Sequence, residues 1–194
     1  FPYNFDFKLH GFKDKNSKMI APWYSAMAQG QILSCLSRVY ELTNNPVYLD
    51  YANKVFKTLG KIKNKGDKKV WVTMIDVDGF LWLEEYPAEN PTHALNGKMY
   101  AIFGLYDYYI MLIQQKNKLN KKESIKVLRG ALTTIKQKIK EYRNLGNISD
   151  YCLLHKVKSF KYHKIHIEQL KYLYKITGDV YFNEISYLLE KDKT

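Results

Sequence analysis

Three tyrosines stand apart by their neighbours. Tyr86 follows Glu84-Glu85 and precedes Pro87, Tyr151 lies in Asp150-Tyr-Cys-Leu-Leu-His155, and Tyr162 lies in Lys161-Tyr-His163. Each falls at the end of an expected element beside groups that titrate, the setting in which a phenol can exchange a proton. Most of the 17 tyrosines read differently: Tyr106, Tyr142 and Tyr181 fall on apolar stripes and are core by default. The histidines crowd the same region, with His155, His163 and His166 close to Tyr151 and Tyr162. The i, i+3 pair His163 and His166 could hold a metal on a helix. No third ligand at a recognisable spacing supports that, so a hydrogen-bonding role in a polar cleft is the better reading. Cys35 and Cys152 lie far apart and suggest neither a disulfide framework nor a Cys-based metal site. The chain has no glycine-rich phosphate loop, no Gly-x-Ser-x-Gly elbow and no nucleotide fingerprint. Asp76-x-Asp78-Gly79 has its glycine misplaced for an EF-hand loop and reads as a turn.

Helical periodicity dominates the elements that must position these groups. Ile32, Leu36, Val39 and Tyr40 form one stripe on a helix from about Pro22 to Leu42. Asn45-Pro46 then reads as an N-cap with proline in the first turn, opening a helix that runs to Gly60. Met99, Phe103, Tyr106, Ile110 and Ile113 mark a third helix. Ile125, Leu128, Leu132, Ile135, Ile139 and Tyr142 mark a fourth, after a capping box at Asn120-Lys-Lys-Glu123. Two more run over about His163–Thr177 and Asp179–Lys191, split by Gly178-Asp179. Six helices in three hairpins is the simplest count. Val70–Ile75 and Phe80–Leu83 are β-rich runs joined by a turn, which predicts a hairpin insertion. A second insertion around Ser149–Leu154 suggests a short strand. The segment Tyr40–Asp50 echoes Tyr174–Glu184, each with an aromatic near a helix end, a polar turn and a second helix opening on tyrosine. Such hairpins can stack as a solenoid or curl into a toroid, and insertions on one rim favour the toroid.

The chain has 194 residues, 46% hydrophobic and 26% charged, which suits one globular domain and excludes intrinsic disorder. No apolar run reaches the roughly 18 residues of a membrane span. The net charge is +12, and ten Lys or Arg fall between Lys116 and Arg143 against Glu123 and Glu141. Such a stretch attracts a polyanion or is a solvated face in a lysine-rich protein. Only Arg38, Arg129 and Arg143 are arginines, which argues against a dedicated phosphate reader and hence against nucleic acid.

Five ordered motifs then carry a family resemblance. Ala21-Pro22-Trp23-Tyr24-Ser25-Ala26-Met27-Ala28-Gln29-Gly30-Gln31 closely resembles the signature of the C-terminal domain of D-glucuronyl C5-epimerases. The same family shows elements similar to Glu84-Glu85-Tyr86-Pro87, to Leu95-Asn96-Gly97 followed by Gly104-Leu105-Tyr106-Asp107, to Tyr151–His155, and to Tyr162–Leu170. The resemblance implies an all-α architecture, an α/α-toroid carrying a β-hairpin insertion, in one domain over residues 1–194. Residues 1–20 are then expected to be extended, with the family's β-rich N-terminal domain absent.

The implied activity is inversion of C5 of glucuronic acid residues in a heparosan-like acidic polysaccharide. By resemblance Tyr86, Tyr151 and Tyr162 match the catalytic tyrosines. Glu85, Trp23, Asn96, His155, Lys161, His163 and His166 are expected to contact substrate. The C5 proton lies α to a carboxylate, so its removal leaves a planar carbanion, and inversion needs a base on one face and an acid on the other. Only about 0.1% of an ordinary tyrosine is ionised at pH 7, so a tyrosinate base calls for nearby positive charge. Lys161, His155 and His163 are the expected sources. No redox cofactor and no metal are expected. The expected partners are an acidic polysaccharide and, by resemblance, a second copy of the chain, with no nucleic acid and no membrane span. A lyase sharing the same proton abstraction, or a non-catalytic glycan-binding toroid, are the alternatives. Leu154 stands where the family usually carries arginine, and Lys161 where it carries an acid.

Overall fold

The computed structural model describes residues 1–11, 18–64, 70–115 and 120–192. Six helices account for most of them: α1 (Ala26–Thr43), α2 (Pro46–Gly60), α3 (Leu95–Gln114), α4 (Lys121–Lys138), α5 (Phe160–Thr177) and α6 (Val180–Asp192). Two small antiparallel sheets accompany them, β1 (Phe7–Lys8) with β2 (Lys18–Met19), and β3 (Thr73–Ile75) with β4 (Leu81–Leu83). No helix among the described residues is long and apolar enough to cross a membrane.

The helices form three successive hairpins, α1–α2, α3–α4 and α5–α6, with α3 packed on both α1 and α5. The α3 helix carries the longest buried face, including Met99, Ile102, Leu105, Tyr108 and Leu112, which explains its central place. Two glycines set how closely α1 and α3 cross. A Cβ on Gly104 would stand 2.0 Å from the Gly30 carbonyl oxygen, and one on Gly30 would stand 2.4 Å from the Ala101 Cα. The motif glycines of both helices are therefore packing residues.

Local signals read from the sequence have visible causes. The Asn45 side chain accepts from the Val47 N–H at 3.0 Å, with Pro46 in the first turn of α2. The echoed segments share one helix ending: the N–H of Asn44 donates to Tyr40, and that of Gly178 to Tyr174, each at 2.8 Å and each from a left-handed residue. Asp76 closes the β3–β4 turn by accepting from the N–H groups of Asp78 and Phe80, while its second oxygen accepts from Trp82 Nε1 at 2.6 Å. Those bonds account for the aspartate without calcium.

Two expectations are corrected. Asn120 stands at the N-cap of α4, but its side chain does not form the capping box: at φ 59° its amide donates to Tyr108 Oη at 3.0 Å, joining the bond from Tyr108 Oη to Asn53 at 2.6 Å. Ser149–Leu154 is not a strand but a loop held by single bridges, Ala94 to Cys152 and Asp150 to Lys158. The described part of the N-terminal segment docks on the helical body. Tyr3 bridges to Trp23, β1 pairs with β2, and Phe7 stacks on Trp23 with centroids 6.0 Å apart. The part of the basic run at residues 116–119 lies outside the described residues.

Gly104→Ala is expected to destabilise the protein by about 3 kcal/mol, as overpacking against rigid backbone does. Urea unfolding measures it, and an unchanged midpoint would contradict the α1–α3 crossing.

Candidate active site

Tyr86, just past β4, and Tyr151, on the loop before α5, both meet the Glu85 carboxylate, and Tyr162 of α5 packs on Tyr151. Leaving β4, the chain turns Glu84 and Glu85 to different partners. Glu84 is fully buried and accepts from the His93 N–H at 3.1 Å, while its other oxygen lies 2.6 Å from His93 Nδ1. His93 stacks on Trp82 with centroids 3.8 Å apart. Glu85 is 3% exposed and accepts a hydrogen bond from Tyr151 Oη at 3.2 Å. Tyr151 Oη also lies 3.4 Å from Tyr86 Oη, and the Tyr151 and Tyr162 rings pack with centroids 4.5 Å apart.

Gly97 explains why the Leu-Asn-Gly motif opens α3. A Cβ there would stand 2.2 Å from Glu85 Oε2, so only glycine leaves room for the carboxylate. The acid thereby rests on the first turn of α3, where a helix tolerates negative charge best. The same helix start is fastened to the tyrosine loop, since the Leu95 N–H donates to the Tyr151 carbonyl at 3.0 Å. Tyr151 N donates in turn to Val157 at 2.7 Å, and Asp150 N to Tyr142 at 2.8 Å. Tyr162 enters from the first turn of α5.

The electrostatics differ from the expected cationic setting. Burial pushes the Glu85 carboxyl up to about 7, with hydrogen bonds from Tyr86 and Tyr151 opposing a further rise. Burial first, and the Glu85 charge second, push Tyr86 and Tyr151 above the usual phenol range. The nearest titrating neighbour of both phenols is thus an acid, and both stay protonated at neutral pH. Lys161 lies beside the Tyr162 ring, with Nζ 6.0 Å from its centroid.

The other expected residues are divided. Trp23 lies in the wall: its Nε1 donates to the Phe5 carbonyl at 2.9 Å, and it borders a cleft of about 180 Å³ with Phe7, Glu85 and Tyr86. His163 and His166 are fully buried, and the Nδ1 atoms of both lie within 3.0 Å of Ser149 Oγ. They brace the start of the tyrosine loop and do not present a surface to substrate. His166, deprived of solvent, is lowered to about 3 and stays neutral. Asn96 is also buried, its carbonyl accepting from Gln169 Nε2 at 3.0 Å. His155 lies beside Cys152 and His10, away from this bracing pair. Leu154, at 46% exposure, stands on the surface of the tyrosine loop. Residues not anticipated are Glu84 and His93, which hold the turn behind the site, and Phe7 and His10, which the N-terminal segment contributes. Only the Glu-Glu pair gave a signal; His93 is a lone residue nine positions further on, and Phe7 and His10 are remote in sequence.

Comparison with known proteins adds the family. Residues 1–191 match the family model described as D-glucuronyl C5-epimerase C-terminus. The chain belongs to the D-glucuronyl C5-epimerase family. It is 31% identical to the D-glucuronyl C5-epimerase of Caenorhabditis elegans over 84% of its own length and 28% of the worm protein. It is 28% identical to an uncharacterized protein of Methanocaldococcus jannaschii over 91% of its length and 52% of that protein. The chain thus spans only about a quarter to a half of the curated relatives it matches. In this C5-epimerase-family chain, Gly97 seats the Glu85 carboxylate to which Tyr86 and Tyr151 bond.

Glu85 also predicts a pH dependence of stability. The folded protein keeps its proton up to about pH 7, whereas an ordinary glutamate releases it near 4.5. The stabilisation is therefore complete below 4.5 and is lost as the pH rises through 7, about 3 kcal/mol in all. Urea unfolding of Glu85→Gln is expected to lack that decline, and a decline equal to the parent's would assign it to another group.

Proposed function

We propose that this chain is an epimerase domain that inverts C5 of a uronic acid residue within an acidic polysaccharide, on an arc of an α/α-toroid. The observation that carries the reading is the carboxylate of Glu85, buried among phenols and poised to change charge near neutral pH. Proton abstraction α to a carboxylate needs a base that is ionised near pH 7 and an acid that is not. Glu85 meets the first requirement. Tyr86 and Tyr151, held protonated by burial and by Glu85, meet the second.

In this reading Tyr151 and Glu85 act as a pair. As the phenol oxygen takes the C5 proton, the phenol passes its own proton to Glu85. The resulting carbanion is planar and spreads its charge into the substrate carboxyl group. A second phenol, that of Tyr86 or Tyr162, then delivers a proton to the opposite face. That donor is left as a phenolate, and the Glu85 proton passes back through Tyr151, whose Oη lies 3.4 Å from Tyr86 Oη, to reprotonate it, which restores the starting state without redox chemistry. A phenol coupled to a carboxylate in this way takes the part that the sequence alone suggested for a tyrosinate held by lysine or histidine.

A polymeric substrate is supported by the surroundings. Trp23 borders both the cleft beside Tyr86 and a second cleft of about 210 Å³ walled by Trp71 and Pro87. Sugar rings stack on such aromatic faces, and two adjoining clefts suit neighbouring sugars of one chain. The balance of +12 suits a polyanion. Dimerisation is part of the same proposal by family resemblance.

Incubation with glucuronate polymers in D2O tests the reading. Deuterium is expected at C5 without chain cleavage, at a rate that rises with pH and levels off above about 7. Tyr151→Phe and Glu85→Gln are each expected to lower exchange by at least about 100-fold, the scale of general acid–base catalysis. Full exchange in either variant would sink the paired mechanism. Unsaturated uronate ends would instead indicate a lyase, and binding without exchange a glycan-binding module.

A further inference from the structure

We propose that His10, Cys152 and His155 form a zinc site that fastens the N-terminal segment to the loop carrying Tyr151. Cys152 Sγ lies 3.9 Å from both His10 Nε2 and His155 Nδ1, and the three donor atoms all lie within 4.8 Å of one another. Zinc bonds of about 2.3 Å to sulfur and about 2.0 Å to nitrogen, at a tetrahedral angle, put those atoms about 3.5 Å apart. The sulfur–nitrogen pairs need draw in by only a few tenths of an ångström, and the two ring nitrogens, within 4.8 Å of each other, by about 1.3 Å at most. One thiolate and two imidazoles form a donor set for zinc and not for magnesium or calcium, which take oxygen ligands. Three protein ligands leave one tetrahedral position for water.

The backbone is shaped to bring the donors together. Cys152 and His155 share one turn, closed by the Lys156 N–H donating to the Cys152 carbonyl at 3.1 Å. Lys156 sits at φ 50° and His10 at φ 56°, so both flanks of the cluster use the left-handed region that such residues seldom adopt. His10 lies 142 residues away from Cys152 in sequence and arrives only because the N-terminal segment docks. That docking stacks Phe7 on Tyr86 with centroids 5.7 Å apart and sets the His10 ring edge-on to Tyr151 at 5.3 Å.

A metal at this point has a positional role. It would tie the wall formed by Phe7 and Trp23 to the residue that follows Tyr151, and so hold the cleft closed on that side. The site is defined by its ligands alone and stands or falls separately from the reaction proposed above.

The test uses the full chain, stripped with a chelator and titrated with Co²⁺ as a spectroscopic stand-in. Binding of one equivalent is expected, with a thiolate-to-cobalt charge-transfer band and the intense visible bands of a tetrahedral site. Zn²⁺ is expected to displace the cobalt, raise the thermal midpoint and slow proteolysis of the N-terminal segment. Cys152→Ser abolishes the charge-transfer band, whereas Cys35→Ser, at the exposed cysteine, leaves it intact. Because Cys152 is buried and its variant could unfold, His10→Ala at an exposed position is the second probe. It is expected to weaken cobalt binding at least about 10-fold while preserving the circular dichroism. Binding well below one equivalent, a spectrum without the thiolate band, or unchanged affinity in His10→Ala would overturn the site.

Discussion

The placing of one carboxylate organises this half of the molecule. Glu85 is held out of water against the bare backbone of Gly97, on the first turn of the most buried helix. A charge so placed is costly unless it is hydrogen-bonded, and phenols are what surround it. The outcome is a compromise legible in the energetics. The carboxyl is raised to about 7, and the phenols that bond to it are raised in return. Burial makes the carboxyl hold its proton and the phenol hydrogen bonds oppose that rise, while the carboxylate charge makes the phenols hold theirs more tightly, and this balance gives the cluster its capacity for proton exchange near neutrality.

The surrounding fold can be understood as the means of holding those groups in register. The β3–β4 hairpin delivers Glu84 and Glu85, and the Asp76 turn fixes its tip through Phe80 and Trp82. Glu84 and His93 then anchor the chain behind the site, next to Lys98, whose ammonium lies 3.9 Å over the Trp82 ring and is pushed well down by burial. The Tyr151 loop is fastened at both ends, by the Ser149 bonds to His163 and His166 and by the Leu95–Tyr151 bond to α3. Rigid helices supply the frame, and the reactive groups sit on turns between them, as is common for sites on helical scaffolds.

The N-terminal segment changes the character of the cleft. Without it, Trp23 and Tyr86 would form an open aromatic shelf. With Tyr3, Phe5 and Phe7 packed on that shelf, the cleft is enclosed on one side by residues that are remote in sequence. A wall built from a short two-stranded ribbon is intrinsically weak, since isolated hairpins are marginal in water. Its docking depends on aromatic contacts and on whatever fastens His10 beside Cys152.

Periodicity alone was enough for the six helices, the β3–β4 hairpin and the Asn45 cap, because each rests on contacts within a few residues. The motifs likewise located Tyr86, Tyr151 and Tyr162, whose element-end positions are a local property. The tertiary structure decided which neighbours those residues have. The Asn120 side chain joined the Tyr108–Asn53 bond in place of a capping box. His163 and His166 turned to Ser149, because burial makes satisfying polar groups more urgent than local preference. It also decided the charge state of the site. Proton affinity depends on solvent exclusion and on partners brought from Glu85, Tyr86 and Tyr151 together, and neither quantity exists until the chain has folded.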